Sequence, residues 1–289
     1  AIQSCIIQLY FHKNDISLVD GLASELSKSG DDKLFYYASG GSVAFNCDEC
    51  KADASKISAN KFDGFKMRCG LQSLDKDILR VKTVREEINS KSCSKNRPKL
   101  MIDFIQGTLK KKFSAKDLNT YINSLKEYDI LWFEEPLDPD KYFLYSEFNS
   151  NYDLNFNLAI GESFTSINEY LLYQNFINYY QLDITHCGGF SEAIKIINYF
   201  SDLGSLKFTS HVWGSALSGL LNLSLARASS RIYWFEIPLL DFEINKHLFQ
   251  NSNIDYQKVS NSDIDKLLSE VNLSSNQKYK FIYGSGYKI

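Results

Sequence analysis

Short apolar runs recur along the chain, and each is followed by a longer segment in which apolar positions return with helical period. The runs span residues 34–39, 64–69, 99–104, 130–134, 158–161, 180–184, 207–210 and 234–237. Between them, residues 73–90 place Leu74, Ile78, Leu79, Val81, Val84 and Ile88 at helical spacing, and residues 114–128 place Leu118, Tyr121, Ile122 and Leu125 so. Steps of three and four put such side chains on one helix face. Ser114 and Asp117 have the spacing of a helix-start pair. Segments 167–177, 191–200 and 218–228 read the same way. A short apolar run alone fits a strand or a helix, so the alternation decides. Strands alternating with helices predict parallel strands with right-handed crossovers. Eight such units predict a closed (β/α)8 barrel of the α/β class over residues 34–240, rather than an open sheet. Residues 1–33 do not fit the period. Residues 241–289 are rich in Asn, Ser, Lys and Asp and read as an irregular tail with a short helix near 262–271.

Composition narrows the function without changing the fold. With 289 residues, 44% of them hydrophobic and 23% charged, the chain is long enough for a sizeable core and is not a disordered polymer. A net charge of −3 argues against a phosphate-driven nucleic-acid partner. No apolar run reaches the roughly 18 residues of a membrane span. The first thirty residues lack the order of a signal peptide, so a cytoplasmic location is expected. The six cysteines, Cys5, Cys47, Cys50, Cys69, Cys93 and Cys187, are scattered, as suits a reducing compartment. Cys47 and Cys50 form a CxxC, but no second half follows to complete a zinc site.

Barrel enzymes carry their chemistry at the C-terminal ends of the strands, and here nearly every predicted strand ends in an ionisable residue. The second ends in Lys66-Met67-Arg68, the third in Asp103, the fourth in Glu134-Glu135-Pro136 and the fifth in Gly161-Glu162. The sixth carries Asp183 and then His186-Cys187-Gly188-Gly189, the seventh ends in His211, and the eighth carries Glu236. Asp103, Glu134 and Glu162 on adjacent strands make an all-oxygen donor set, which suits Mg²⁺. Asp183 and His211 stand on neighbouring strands, and a carboxylate beside an imidazole fixes its tautomer for general-base work. Lys66 and Arg68, two apart on a strand, share a face and could meet a substrate carboxylate. His12 and His247 carry no such context and read as structural.

With these residues in order, the chain resembles the enolase superfamily, and within it the mandelate racemase group. The resemblance rests on Lys66-x-Arg68, Met101-Ile102-Asp103, Trp132-Phe133-Glu134-Glu135-Pro136, Gly161-Glu162, Asp183 with Cys187-Gly188-Gly189, Ser210-His211 and Glu236. It implies one Mg²⁺ held by Asp103, Glu134 and Glu162, the first glutamate of the Glu134-Glu135 pair being the ligand. It implies a His211–Asp183 base on one face of the substrate, Lys66 and Arg68 on the other, and a hydrogen bond from Glu236 to the substrate carboxylate. His186 stands where some members carry a lysine and is a candidate substrate contact. Two positions depart from the pattern. Ile105 replaces a common asparagine after Asp103, so a polar contact is expected to be lost. Arg68 replaces a lysine, and arginine is a poor base but a good carboxylate clamp.

The implied reaction removes the proton α to a carboxylate and passes through an enediolate, with Mg²⁺, Lys66 and a protonated Glu236 sharing the charge. One strong dyad facing a non-base favours dehydration of a sugar acid to a 2-keto-3-deoxy acid. Racemisation or epimerisation of a 2-hydroxy acid is the alternative, and a metal-binding barrel without catalysis is a third reading. The resemblance further implies a homo-oligomer, dimer or octamer. It also implies a partial α+β capping domain, with residues 1–33 as its remnant and 241–289 returning to it.

Overall fold

In the computed structural model, residues 2–27, 33–59, 62–91, 97–152, 155–201, 206–240, 242–248 and 254–269 are described. Helices α1 (Ile2–Lys13) and α2 (Leu18–Ser24) come first. Eight strands then alternate with helices: β1 (Phe35–Ser39), α3 (Cys47–Ala59), β2 (Gly64–Arg68), α4 (Leu74–Lys91), β3 (Lys99–Asp103), α5 (Ala115–Leu125), β4 (Ile130–Glu134), α6 (Tyr142–Asn151), β5 (Leu158–Ile160), α7 (Ile167–Tyr173), β6 (Tyr179–Leu182), α8 (Phe190–Phe200), β7 (Lys207–Ser210), α9 (Ala216–Ala228) and β8 (Ile232–Pro238). Helices α10 (Asn245–Leu248) and α11 (Asn261–Ser269) follow. All strands pair in parallel, and β8 closes on β1, so the sheet is a barrel.

The predicted barrel is therefore present, with strand edges moved by one or two residues. Helix starts are set by side chains that take up the first free N–H groups. Ser114 Oγ accepts from Asp117 N at 3.2 Å while Asp117 Oδ2 accepts from Ser114 N at 2.9 Å, as the spacing foretold. At the start of α7, Glu169 Oε2 accepts from Ser166 N at 3.0 Å. The CxxC cysteines lie in the first turn of α3, and Cys5, Cys47, Cys50, Cys69 and Cys187 are free thiols; Cys93 lies outside the described residues. The expected tail helix is α11, whose last two predicted residues, 270 and 271, are likewise outside. Among the described residues, no helix is long and apolar enough to cross a membrane.

Inside the barrel, the register of the strands stacks inward side chains in layers drawn from alternate strands. The floor is aromatic: Trp132, Tyr179 and Trp234, with Tyr37, Met101 and Ala159 just above. The next layer up comes from β2, β4, β6 and β8 and holds Lys66, Glu134, Gln181 and Glu236. Above it, β1 and β3 supply Ser39 and Asp103, and Gly161 and His211 directly follow β5 and β7. The apolar lower layers thus support a charged upper half.

Helix α9 is buried on nearly every side, from Ala216 through Leu220 and Leu225 to Ala228. Its inner face meets β7 and β8, and its outer face is covered by α2 and α11. The two terminal segments meet there: Leu18 N donates to Asp265 Oδ1 at 3.1 Å.

Candidate active site

Lys66 is fully enclosed and lies between two carboxylates. Its Nζ is 2.5 Å from Glu134 Oε1 and 2.9 Å from Glu236 Oε1. Burial alone would strip its proton, but the two carboxylates hold the ammonium well above its ordinary pKa. Glu134 Oε2 also accepts from Trp132 Nε1 at 3.2 Å, and Glu236 Oε2 from Val212 N at 2.9 Å. Burial would raise Glu236, yet Lys66, His211, Ser39 and that backbone N–H lower it to about 2. The buried ammonium beside Glu236 favours its ionised form, in which it accepts hydrogen bonds.

Arg68 stands higher on β2. Its guanidinium donates to Gly40 O at 3.0 Å and Ser39 Oγ at 3.2 Å, stacks 4.5 Å over the Trp213 ring, and lies 3.6 Å from Asp103 Oδ2. Two of its N–H groups are therefore held by the protein itself, and its Nε faces Asp103.

The three predicted metal ligands end β3 and β4 and follow β5. Asp103 is raised to about 6 by burial and by Glu162, against the pull of Lys66 and Arg68. Burial and the neighbouring acids likewise raise Glu134 and Glu162. Each is engaged by a basic side chain: Asp103 by Arg68, Glu134 by Lys66, and Glu162 by His211, whose Nε2 is 3.5 Å from Glu162 Oε2. Accordingly, among the described residues no three acidic, histidine or cysteine side chains are drawn into a ready-made cluster.

The structure brings His211 and Asp183 together. His211 Nδ1 is 3.0 Å from Asp183 Oδ2. Asp183 also accepts from Thr185 N at 2.8 Å, Thr185 Oγ1 at 2.7 Å and Asn222 Nδ2 at 3.0 Å. Burial would raise Asp183, but these bonds and the imidazole hold it below its ordinary value. Burial would lower His211, but Glu162, Asp183 and Glu236 raise it to about 10. His186 is exposed in the turn after β6, its backbone N–H bonded to Asp183 O at 3.0 Å. His12 ends α1, and the side chain of His247 is outside the described set.

Several contributors escape a reading of strand ends. Asn222 supports Asp183 from the middle of α9, where its one signal is an amide in an apolar helix. Ile105 contributes through its backbone: its N–H donates to Asp103 Oδ1 at 2.7 Å, with φ at +41°. Such a φ is strained for a β-branched residue. Glu135, with φ +36°, is buried and accepts from Gly107 N at 3.1 Å; burial, Glu162 and Asp103 raise it far above its ordinary range. A cavity of about 240 Å³ opens beside the dyad strand, walled by Val212, Gly214, Leu239, Phe242 and Tyr256.

The model of the enolase C-terminal domain-like family matches residues 49–259. The chain belongs to this family. Within the enolase superfamily its likeness is to the mandelate racemase group. It is 25% identical over 227 residues to a D-galactarolactone cycloisomerase of Agrobacterium fabrum, covering 75% of this chain and 55% of that protein. It is 26% identical over 179 residues to an L-talarate/galactarate dehydratase of Salmonella typhimurium, covering 61% and 42%. The chain thus spans about half the length of these curated relatives. In fold it resembles the 3,6-anhydro-D-galactonate cycloisomerase of Zobellia galactanivorans, with TM-score 0.65, 20% identity and coverage of 78% of this chain and 60% of that one. It also resembles a racemase of Streptomyces coelicolor crystallised with bound magnesium, with TM-score 0.61, 20% identity and coverage of 75% and 59%.

The donor chemistry of the enolase-type site fits a hard divalent cation. Asp103, Glu134 and Glu162 offer oxygen only, stand on consecutive strands and raise one another's pKa. With Asp183 and Glu236 they make five carboxyl groups against Lys66, Arg68 and His211, an excess of acid that a cation would balance.

Proposed function

We propose that the enzyme of which this barrel is the catalytic part abstracts the proton α to the carboxylate of a sugar acid and expels a β-hydroxyl, giving a 2-keto-3-deoxy acid. The observation that carries this reading is the His211–Asp183 dyad, set at 3.0 Å one layer above the Lys66–Glu134–Glu236 cluster. Asp103, Glu134 and Glu162 would hold Mg²⁺, which as a Lewis acid would spread the charge developing on the substrate carboxylate.

Every other step belongs to the chain. Asp183, acceptor-only, keeps the proton on Nδ1 of His211 and leaves Nε2 as the atom that takes the α proton. Glu162 is the largest of the groups that raise the imidazole, so with Glu162 held by a cation His211 would lose that support and could serve as the neutral base. Lys66 stays an ammonium and offers a hydrogen bond that strengthens as charge gathers on the enediolate, worth roughly 3 kcal/mol. Glu236 orients Lys66 and lines the carboxylate site. The proton now on Nε2 is placed to assist departure of the β-hydroxyl as water. In this reading residues 1–33 and 241–289 are this chain's share of a capping domain, of which α2 and α11 pack on the outer face of α9, and His186 is a substrate contact.

Racemisation would need a second base opposite His211. The groups there are a guanidinium tied to Gly40, Ser39 and Trp213 and an ammonium held by two carboxylates, which favours dehydration. The test is incubation of the Mg²⁺-loaded protein with a panel of sugar acids, galactarate included, in D₂O. Formation of 2-keto acids supports the reading. Recovered substrate that is deuterated and inverted, with no keto acid from any member, overturns it.

A further inference from the structure

One member of the layer beneath the site has no partner. Lys66, Glu134 and Glu236 of that layer bind one another. The fourth, Gln181, is fully buried, yet neither its Nε2 nor its Oε1 has a hydrogen-bond partner among the described residues. Buried amides are destabilising when unpaired and are otherwise satisfied. The neighbouring strands do not serve it. Thr209, its register partner on β7, gives its hydroxyl to Trp234 O at 3.2 Å. On the β5 side, the residue one layer higher is Gly161, at φ +125°, where a Cβ would lie only 3.3 Å from Gln181 O. That oxygen is a main-chain atom of β6, so the glycine lets the two strands approach and offers the Gln181 amide no partner of its own.

We propose that Gln181 is a direct substrate contact, its Nε2–H donating to a carboxylate oxygen of the bound acid from the wall opposite Lys66. This rests on the proton-abstraction reading, because that reading seats a carboxylate over this layer. Strands β2 and β6 lie across the barrel from each other, so Lys66 and Gln181 approach one anion from two sides. The residue type follows from its surroundings. An apolar side chain would offer no donor, a carboxylate would join Glu134 and Glu236 in repelling the anion, and a neutral amide supplies a donor without either fault.

Calorimetric titration of the intact protein tests this with Mg²⁺ alone and then with oxalate, a planar dicarboxylate probe, in saturating Mg²⁺. Gln181→Met and Gln181→Leu are compared with the parent. Both variants should bind Mg²⁺ as the parent does and bind oxalate roughly 10- to 100-fold more weakly, the usual effect of losing a hydrogen bond to a charged group. Their metal-free melting temperatures should hold or rise, since no internal bond is removed. Unchanged oxalate affinity in both variants would assign the amide to a buried water and overturn the proposal alone. A lowered melting temperature in both, with Mg²⁺ binding lost, would mark Gln181 as structural and also overturn it. A parent protein that binds neither Mg²⁺ nor oxalate would remove the proton-abstraction reading itself.

Discussion

His211 is held between two carboxylates, with Nδ1 3.0 Å from Asp183 and Nε2 3.5 Å from Glu162. The first contact orients the ring; the second keeps it charged. Replacing His211 with Asn should lower turnover on the responsive sugar acid by about 10²- to 10⁴-fold while leaving Mg²⁺ affinity nearly intact. A variant with unchanged keto-acid formation would show that the barrel does its chemistry elsewhere or does none.

Mg²⁺ should lower the pKa of His211, because Glu162 contributes most to raising it to about 10. The imidazole signals, followed by NMR from pH 5 to 10 with chelator and then with excess Mg²⁺, provide the check. A titration midpoint that does not move downward on adding metal would separate Glu162 from any metal site.

Without metal, the protein should be more stable at pH 5 than at pH 8. Asp103 is raised to about 6, and Glu134 and Glu162 are raised as well. A carboxyl with a raised folded pKa contributes stability below its unfolded value of about 4 and loses it as pH climbs through the folded value. His211 has the same sign: its contribution is full below about 6.5 and is lost as pH rises through about 10. Asp183 and Glu236 are lowered and act oppositely, but their contribution disappears only in more acid solution, as pH falls below about 4. Mg²⁺ requires ionised ligands, so its stabilisation should be larger at pH 8 than at pH 5. Scanning calorimetry at both pH values, with chelator and with Mg²⁺, would show whether the two trends run in opposite directions.

Lys66→Met leaves Glu134 and Glu236 buried together without their ammonium. Breaking a buried ion pair from one side costs about 3–5 kcal/mol, and urea unfolding of the metal-free variant should register a loss of that order. Restoring much of it with Mg²⁺ would show that a cation can take over at Glu134.

Much of this site was legible because barrel geometry converts a strand's last residue into a position on one rim. Asp103, Glu134, Glu162, Asp183 and His211 needed no more than that. What stayed hidden depends on contacts distant in sequence or carried by the backbone. Asn222 reaches Asp183 from 39 residues away, and Ile105 holds Asp103 through its backbone N–H, which any residue but proline carries. Helix α6 was also missed: Tyr142 and Phe143 are exposed while Tyr145 and Phe148 are buried, so its apolar residues mark no single face. The Lys66–Glu236 contact was unreadable because the two meet only when β8 closes on β1.

The cover over α9 has a consequence for the order of events during synthesis. Its outer face is sealed by α2 near one end of the sequence and α11 near the other, with Leu18 tied to Asp265 across 247 residues. Until α11 leaves the ribosome, a helix whose Leu220, Leu223 and Leu225 are buried in the finished protein has only part of its shelter. The eight strands can pair earlier, but contacts this distant close late. In that interval the nascent chain is at its most adhesive, and it is then that a chaperone has most to protect.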